Sequence, residues 1–368
     1  MTTSQTPNYW SYLKLHSLLG LQNGLEADEA DVTSDELHFI IVHQTLELWF
    51  KLVIRELRLA RDHLASPELP EEHVPYVVHH LRRVIRILGL AVEHFHVMES
   101  LTPQDFLAFR DKLTPASGFQ SFQMRTVEVL LGLDHETRPT YGKTHPIEHL
   151  EQLTSGCPMG HSAWSNVSQA LDETTLRQAL HDWLYRTPIF GSSPEDDDDS
   201  QVVERFLEAY LSQVERLHRD QAKRIGATPG IDVREIEERF AQTNEAARQF
   251  LWASDVDEAD RPRIQRIRAA LLFIESYREL PLLAWPRLLL DAVVEVEEQM
   301  VLWRHRHARM VERIIGRRVG TGGSSGVDYL DKTTRVRVFT ELWAIRSFLL
   351  PKTELPPLEN AEFYGFAT

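Results

Sequence analysis

The sequence predicts an all-α fold, and two observations predict it. Apolar residues recur at alternating steps of four and three over long stretches, the pattern of one helix face turned to a core. Valine and isoleucine fall on that spacing, and the period-two alternation of a half-buried strand is scarce.

The elements follow in order. Asn8 to Asn23 carries Tyr9, Trp10, Tyr12, Leu13 and Leu15 and reads as a short helix with an aromatic edge. Thr33 and Glu36 form a capping box that opens a long helix to about His63, ended by Pro67 and Pro70. A second long helix covers Pro75 to Glu99, and a short one Asp105 to Lys112. After the turn Pro115-Ala116-Ser117-Gly118, Phe119 to Leu133 is helical. Residues 135–165 hold Pro139, Gly142, Pro146, Gly156, Pro158 and Gly160 and read as an irregular insertion or lid. Helices are expected at Thr174 to Tyr185, at Val202 to Ile225 and Val233 to Trp252 as an antiparallel pair, and at Arg261 to Glu279. The acidic run Glu195 to Asp199 reads as solvated, with a part in capping the next helix. The last long helix begins at Pro286 and runs into the loop Gly320-Thr321-Gly322-Gly323-Ser324-Ser325-Gly326. No internal repeat or linker divides the chain, so one domain over residues 1–368 is expected.

Composition narrows the function classes. With 55 acidic against 40 basic residues the net charge is −15, which argues against nucleic-acid binding. The single cysteine, Cys157, excludes an intramolecular disulfide framework and a cysteine-rich metal centre. The N-terminus has neither a basic start nor an apolar stretch, and no uncharged apolar run approaches the roughly 20 residues of a membrane helix. A cytoplasmic protein without a membrane partner is expected.

Two histidines stand out. Leu289, Val293, Val296, Met300, Trp303, His307, Met310 and Ile314 form one stripe, with His307 in an aliphatic slot. Phe39, His43, Leu46, Phe50, Val53, Leu57 and Ala60 form another, with His43 in such a slot. A single histidine on an apolar face is more often a hydrogen-bonded core residue than a ligand, because an unpaired buried polar group costs about 1–3 kcal/mol. Two of them on two long helices suggest a shared pocket, with a metal as one candidate partner.

The glycine loop follows a helix and has no lysine, so it is neither a P-loop nor a dinucleotide fingerprint. Its backbone N–H groups and hydroxyls suit a carboxylate or another anion, or it is simply a helix C-terminal turn. Arg110, among Phe106 and Phe109, suits a bidentate carboxylate clamp or a surface salt bridge. Glu93 and His96 form one Glu-x-x-His pair where a di-iron bundle needs two. Cys157 and His161 are a weak ligand pair in a loop.

Three segments together resemble the tryptophan 2,3-dioxygenase family. They are Phe39-Ile40-Ile41-Val42-His43-Gln44-Thr45 with Glu47-Leu48-Trp49; Phe109-Arg110-Asp111 with Pro115 to Ser121; and Trp303-Arg304, His307, Gly320 to Gly326 and Tyr329-Leu330. The resemblance spans about Tyr9 to Leu349. It implies an all-α homotetramer, a dimer of dimers, holding haem b and cleaving the indole C2–C3 bond of L-tryptophan with O2 to give N-formylkynurenine. It places His307 as the axial ligand of the haem iron and His43 as the distal group that meets the indole N–H. Arg110 becomes the carboxylate clamp, Thr321 the contact for the ammonium and carboxylate, and Phe39 and Phe106 the indole walls. Ser117 and Gly322 fall on the cofactor side. Tyr9, Tyr12 and Leu13 match a segment that reaches a neighbouring subunit's pocket. Residues 135–165 look longer than the family's usual connection. A haem mono-oxygenase acting on a tryptophan or tyrosine derivative is the alternative, and a non-enzymatic haem or amino-acid sensor a third.

Overall fold

The computed structural model describes residues 8–67, 69–140, 144–154, 158–228, 230, 232–323 and 325–365. Helix makes up 71% of it, and no sheet occurs among the described residues; Ile189 and Ser192 exchange two backbone hydrogen bonds in an isolated bridge. The all-α expectation holds.

The chain forms two compact units. The first comprises Met1–Glu56, Arg83–Glu173 and Glu298–Val336; the second comprises Leu57–Arg82, Thr174–Glu297 and Arg337–Thr368.

The long helices run Ser34–Leu64, Val74–Met98 and Ala284–Ile315. Thr33 Oγ1 accepts from the Glu36 N–H at 3.2 Å, the cap expected from the sequence. In the His43 stripe, Leu46, Phe50, Val53, Leu57 and Ala60 are buried; in the His307 stripe, Leu289, Val293, Val296, Met300, Met310 and Ile314 are buried. By length and composition Ser34–Leu64 is apolar enough to cross a membrane, although Glu47 and Lys51 interrupt its most apolar stretch.

In the first unit, Thr102 caps the helix Pro103–Phe109, and a 3-10 turn follows over Arg110–Leu113. Phe122–Leu131 is buried along most of its length and stops at Gly132, whose φ of 100° is the left-handed C-terminal cap that glycine adopts without strain. Residues 135–165, expected to be irregular, instead contain the helix Pro146–Thr154 and most of Pro158–Leu171. The prolines stand at the first helical position, where the missing N–H costs nothing, so they start these helices rather than break them. Ile147, Leu150, Val167 and Ala170 are buried. The two helices touch at Gly160, where a Cβ would lie 2.6 Å from the Thr154 carbonyl oxygen. Gly142, Gly156, Cys157 and Ser324 lie outside the described residues. The N-terminal stretch forms two single turns, Tyr9–Tyr12 and Leu15–Leu18, parted by Lys14 at φ 51°.

In the second unit, Leu176–Arg186, Asp199–Gly226, Val233–Leu251 and Arg261–Ser276 match the expected helices. The pair Asp199–Gly226 and Val233–Leu251 is antiparallel: Arg248 reaches Glu208 at 3.2 Å, while His218 meets Asn244 at 2.6 Å. Of the acidic run, Glu195 to Asp198 are exposed as expected, and Asp199 alone is not. Asp199 is buried, paired with Arg266 at 2.9 Å and accepting from Ser192 at 2.9 Å.

Glu297 closes the start of the helix Thr340–Ile345. Its buried carboxylate accepts from the Val338 N–H, the Phe339 N–H at 3.3 Å and Trp343 Nε1 at 2.6 Å. Glu297→Ala would orphan these donors and is expected to cost about 2–4 kcal/mol in urea unfolding. A cost below about 0.5 kcal/mol, the level of an ordinary surface substitution, would show that the donors have other partners.

Candidate functional site

A cavity of about 260 Å³ lies within the first unit. His43 and His307 both line it, so the two histidine helices do face one space. Val42, Leu46, Phe50, Phe95, Met98 and Met124 supply much of its apolar wall.

His43 Nδ1 lies 2.8 Å from the Phe39 carbonyl oxygen, one turn back on its own helix. A carbonyl only accepts, so Nδ1 carries the proton and Nε2 is left with its lone pair. Burial pushes the His43 pKa below the ordinary value of 6.5, with the Phe39 bond and the Glu47 charge pulling weakly the other way. Gln123 Nε2 holds Glu47 by its carbonyl at 2.7 Å and its carboxylate at 2.9 Å, tying the helix Phe122–Leu131 to the His43 helix.

Burial drives His307 down to about 4, and the charges of His43 and Arg125 add to the drop. Both imidazoles are therefore neutral at pH 7. Phe95 lies nearly parallel to His307 at 5.6 Å, and Trp303 meets it at 5.1 Å. No side-chain hydrogen bond to His307 occurs among the described residues.

The polar side is built by two segments that tie to each other. Arg110 Nη2 donates to the Val319 carbonyl, and Thr321 Oγ1 donates to the Ala116 carbonyl at 2.6 Å. Lys112, two residues from Arg110, bridges Glu26 and Glu36 at 2.9 Å each, which fixes the Arg110 turn to the start of the His43 helix. Arg110 Nε is buried without a protein acceptor. The glycine loop curls at Gly323, whose N–H reaches the Gly320 carbonyl at 2.9 Å. Gly326 has φ 61°, and a Cβ there would lie 2.7 Å from the Arg318 carbonyl oxygen, so a larger residue would force the loop apart.

Arg110, Thr321, Ser117 and Phe106 line the cavity with the two histidines. Phe39 lies behind the lining, its ring 4.0 Å from His43 and 5.9 Å from Phe106. Gly322 adjoins Thr321 without lining the space. Tyr9, Tyr12 and Leu13 are not brought to it; they are exposed, with Tyr12 at 78%. His96 and Glu93 are also apart, His96 Nδ1 accepting from Arg306 at 2.9 Å. His161 is exposed.

The sequence reading missed a buried ionic cluster at the cavity edge. Glu128 receives Arg125 at 2.9 Å, Arg138 at 2.8 Å and Arg304 at 3.3 Å. Burial pushes its pKa up, but the three guanidinium groups outweigh that and hold it below the usual range. Arg125 and Glu128 sit one turn apart and are the charged residues of a mostly buried helix, and that contrast is the signal that marks them.

His307 gives a pH test. It takes up protons below pH 6.5 when unfolded but only below about pH 4 when folded. The unfolded state therefore binds more protons in that window, and stability falls as pH drops through it, by roughly 3 kcal/mol. Chemical unfolding of the cofactor-free protein at pH 7 and pH 5 should show a loss that His307→Leu reduces. An equal loss in both would exclude His307 as its source.

The tryptophan 2,3-dioxygenase family model matches residues 2–349. The chain is 45% identical over 366 residues to tryptophan 2,3-dioxygenase 2 of Ralstonia nicotianae, covering 98% of each. It is 46% identical to tryptophan 2,3-dioxygenase of Sorangium cellulosum, covering 98% of this chain and 87% of that one. A tryptophan 2,3-dioxygenase-like protein of Xanthomonas campestris is 47% identical over 272 residues, 72% of this chain and 98% of its own length. With two neutral imidazoles, an arginine and a glycine loop meeting in one cavity, and similarity along nearly its whole length, this chain belongs to the tryptophan 2,3-dioxygenase family.

Proposed function

We propose that this chain is a haem-dependent dioxygenase that cleaves the indole C2–C3 bond of L-tryptophan with O2, giving N-formylkynurenine. The observation that carries this is the single cavity faced by His43, His307, Arg110 and Thr321.

The residues present fit haem b. His307 offers a neutral nitrogen in an apolar surround, as an axial ligand must. Trp303 Nε1 and Arg125 Nε are buried donors without protein acceptors, beside an excess of guanidinium charge. They would take the cofactor's carboxylates. A Cβ at Gly118 would meet nothing within 4 Å, which leaves room beside Ser117 for a flat ring. When bound, the haem supplies the iron that activates O2.

The remaining work belongs to the side chains. Neutral His43 presents its Nε2 lone pair, which accepts the indole N–H and orients the ring. Phe106, backed by Phe39, forms the apolar wall for that ring. Arg110 spends one donor on Val319 and keeps others for the substrate carboxylate. Thr321 gives its proton to Ala116, so its oxygen lone pairs are left to accept from the ammonium. The ties between the two segments hold Arg110 and Thr321 in place for the substrate.

The same reading extends to the assembly. We propose a homotetramer, a dimer of dimers, in which Tyr9, Tyr12 and Leu13 cover a neighbour's pocket; their exposure supports this. A cytoplasmic location is part of the proposal.

The test is reduction of haem-loaded protein without oxygen, then addition of L-tryptophan and O2, read by product mass. A gain of two oxygen atoms is expected. A gain of one would replace the proposal with a mono-oxygenase, and binding without product with a sensor. Arg110→Ala should raise KM by about 100-fold with a smaller effect on kcat, since it removes one buried charge-assisted contact. An unchanged KM would take the clamp role from Arg110.

A further inference from the structure

The stretch Glu93-His94-Phe95-His96 draws notice for its histidines, but Phe95 is the residue that meets the site. Its ring is 2% exposed and lies 5.6 Å from His307 with an interplanar angle of 13°. Trp303, one turn before His307 on the same helix, closes the next side at 5.1 Å and 39°. Trp303 is held in turn by Phe95 at 5.6 Å and by Phe50, edge-on at 5.9 Å. Phe50 is buried at 3%. Four rings from three helices thus form one contact set, with the imidazole as a member.

An axial imidazole turns freely about its bond to a metal unless something fixes its plane. The usual device is a hydrogen bond from its second nitrogen to a carboxylate or carbonyl. The carboxylates at this cavity are engaged elsewhere, Glu128 by three arginines and Glu47 by Gln123. What His307 does have is a parallel ring face and a tilted one. Stacked aromatic pairs hold orientation as well as area, and are worth about 0.5–1.5 kcal/mol beyond burial.

We propose that the plane of the His307 imidazole is set by stacking on Phe95, braced by Trp303 and Phe50, in place of a hydrogen bond to a carboxylate. Phe95 is then a positioning residue: it acts through His307 and touches neither substrate nor reacting atoms. The inference rests on the reading of His307 as the haem ligand.

The test compares haem-loaded parent protein with Phe95→Leu, which keeps apolar bulk and removes the ring face. Phe95→Tyr restores the ring. Electron paramagnetic resonance of the ferric form reports the ligand plane through its g values, and transfer of haem to an apoprotein scavenger reports how firmly the ligand is held. Phe95→Leu should keep the histidine-ligated absorption band but shift or broaden the g values, and should lose haem roughly 2- to 12-fold faster. Phe95→Tyr should return both to parental values. Parental g values, widths and transfer rate in Phe95→Leu would overturn the proposal. If circular dichroism shows that Phe95→Leu does not fold, Phe95→Met carries the same comparison. A parent protein that binds no haem, or binds it without a nitrogen ligand, would instead remove the reading beneath it, and the two failures are told apart by the parent spectrum alone.

Discussion

The organising constraint is the placing of two uncharged imidazoles at one largely apolar space. The protein packed around them makes a proton on either ring costly, and a charge on one raises the cost on the other. Everything else near the cavity serves that condition. Long helices with wide apolar stripes bring single polar side chains to the cavity wall, and the stripes of Ser34–Leu64 and Ala284–Ile315 do this by giving one slot each to histidine. The rings differ in how they are held. His43 is pinned by its own helix through the Phe39 carbonyl, which fixes its tautomer. His307 is pinned by aromatic faces.

Charge enters the site only where it is balanced or has a use. Glu128 is buried among three arginines, which keeps it ionised despite burial and leaves positive charge at the cavity edge. Arg110 and Thr321 stand on separate segments, yet each donates to the other segment's backbone. The polar side is thereby organised by its own residues, with donors and lone pairs aimed before any ligand arrives. Such preorganisation is what allows a small number of polar groups to orient an amino acid beside an otherwise apolar wall.

Much of this was legible in the sequence because it is periodic. The four-three stripes located the long helices to within a residue or two, and the interruption of each stripe by a histidine marked the two rings that line one cavity. Arg110 among its aromatics and the hydroxyl-bearing glycine loop were candidates from the residues themselves, Ser117 and Phe106 came with the family resemblance, and the cavity gathers Arg110, Thr321, Ser117 and Phe106. What was not legible depended on tertiary partners. Pro146 and Pro158 read as breakers, whereas each begins a helix, and only the packing of those helices at Gly160 decides between the two uses of proline. Arg125 and Glu128 carried a local signal, but of their partners Arg138 comes from beyond the end of the helix and Arg304 lies 176 residues from Glu128 in the chain. Phe95 drew no reading from the sequence, since nothing local reveals which ring it faces. Tyr9, Tyr12 and Leu13 remain exposed in a single chain, so the part expected of them depends on a second copy.

His307 is proposed to supply the nitrogen that would hold a haem in this cavity. The most direct measurement is the absorption spectrum of haem added to His307→Gly, before and after free imidazole fills the space left by the side chain. A weakened or shifted Soret band that imidazole restores to the parental position is the expected result. A parental band in His307→Gly without imidazole would place the ligand elsewhere and contradict the site as described.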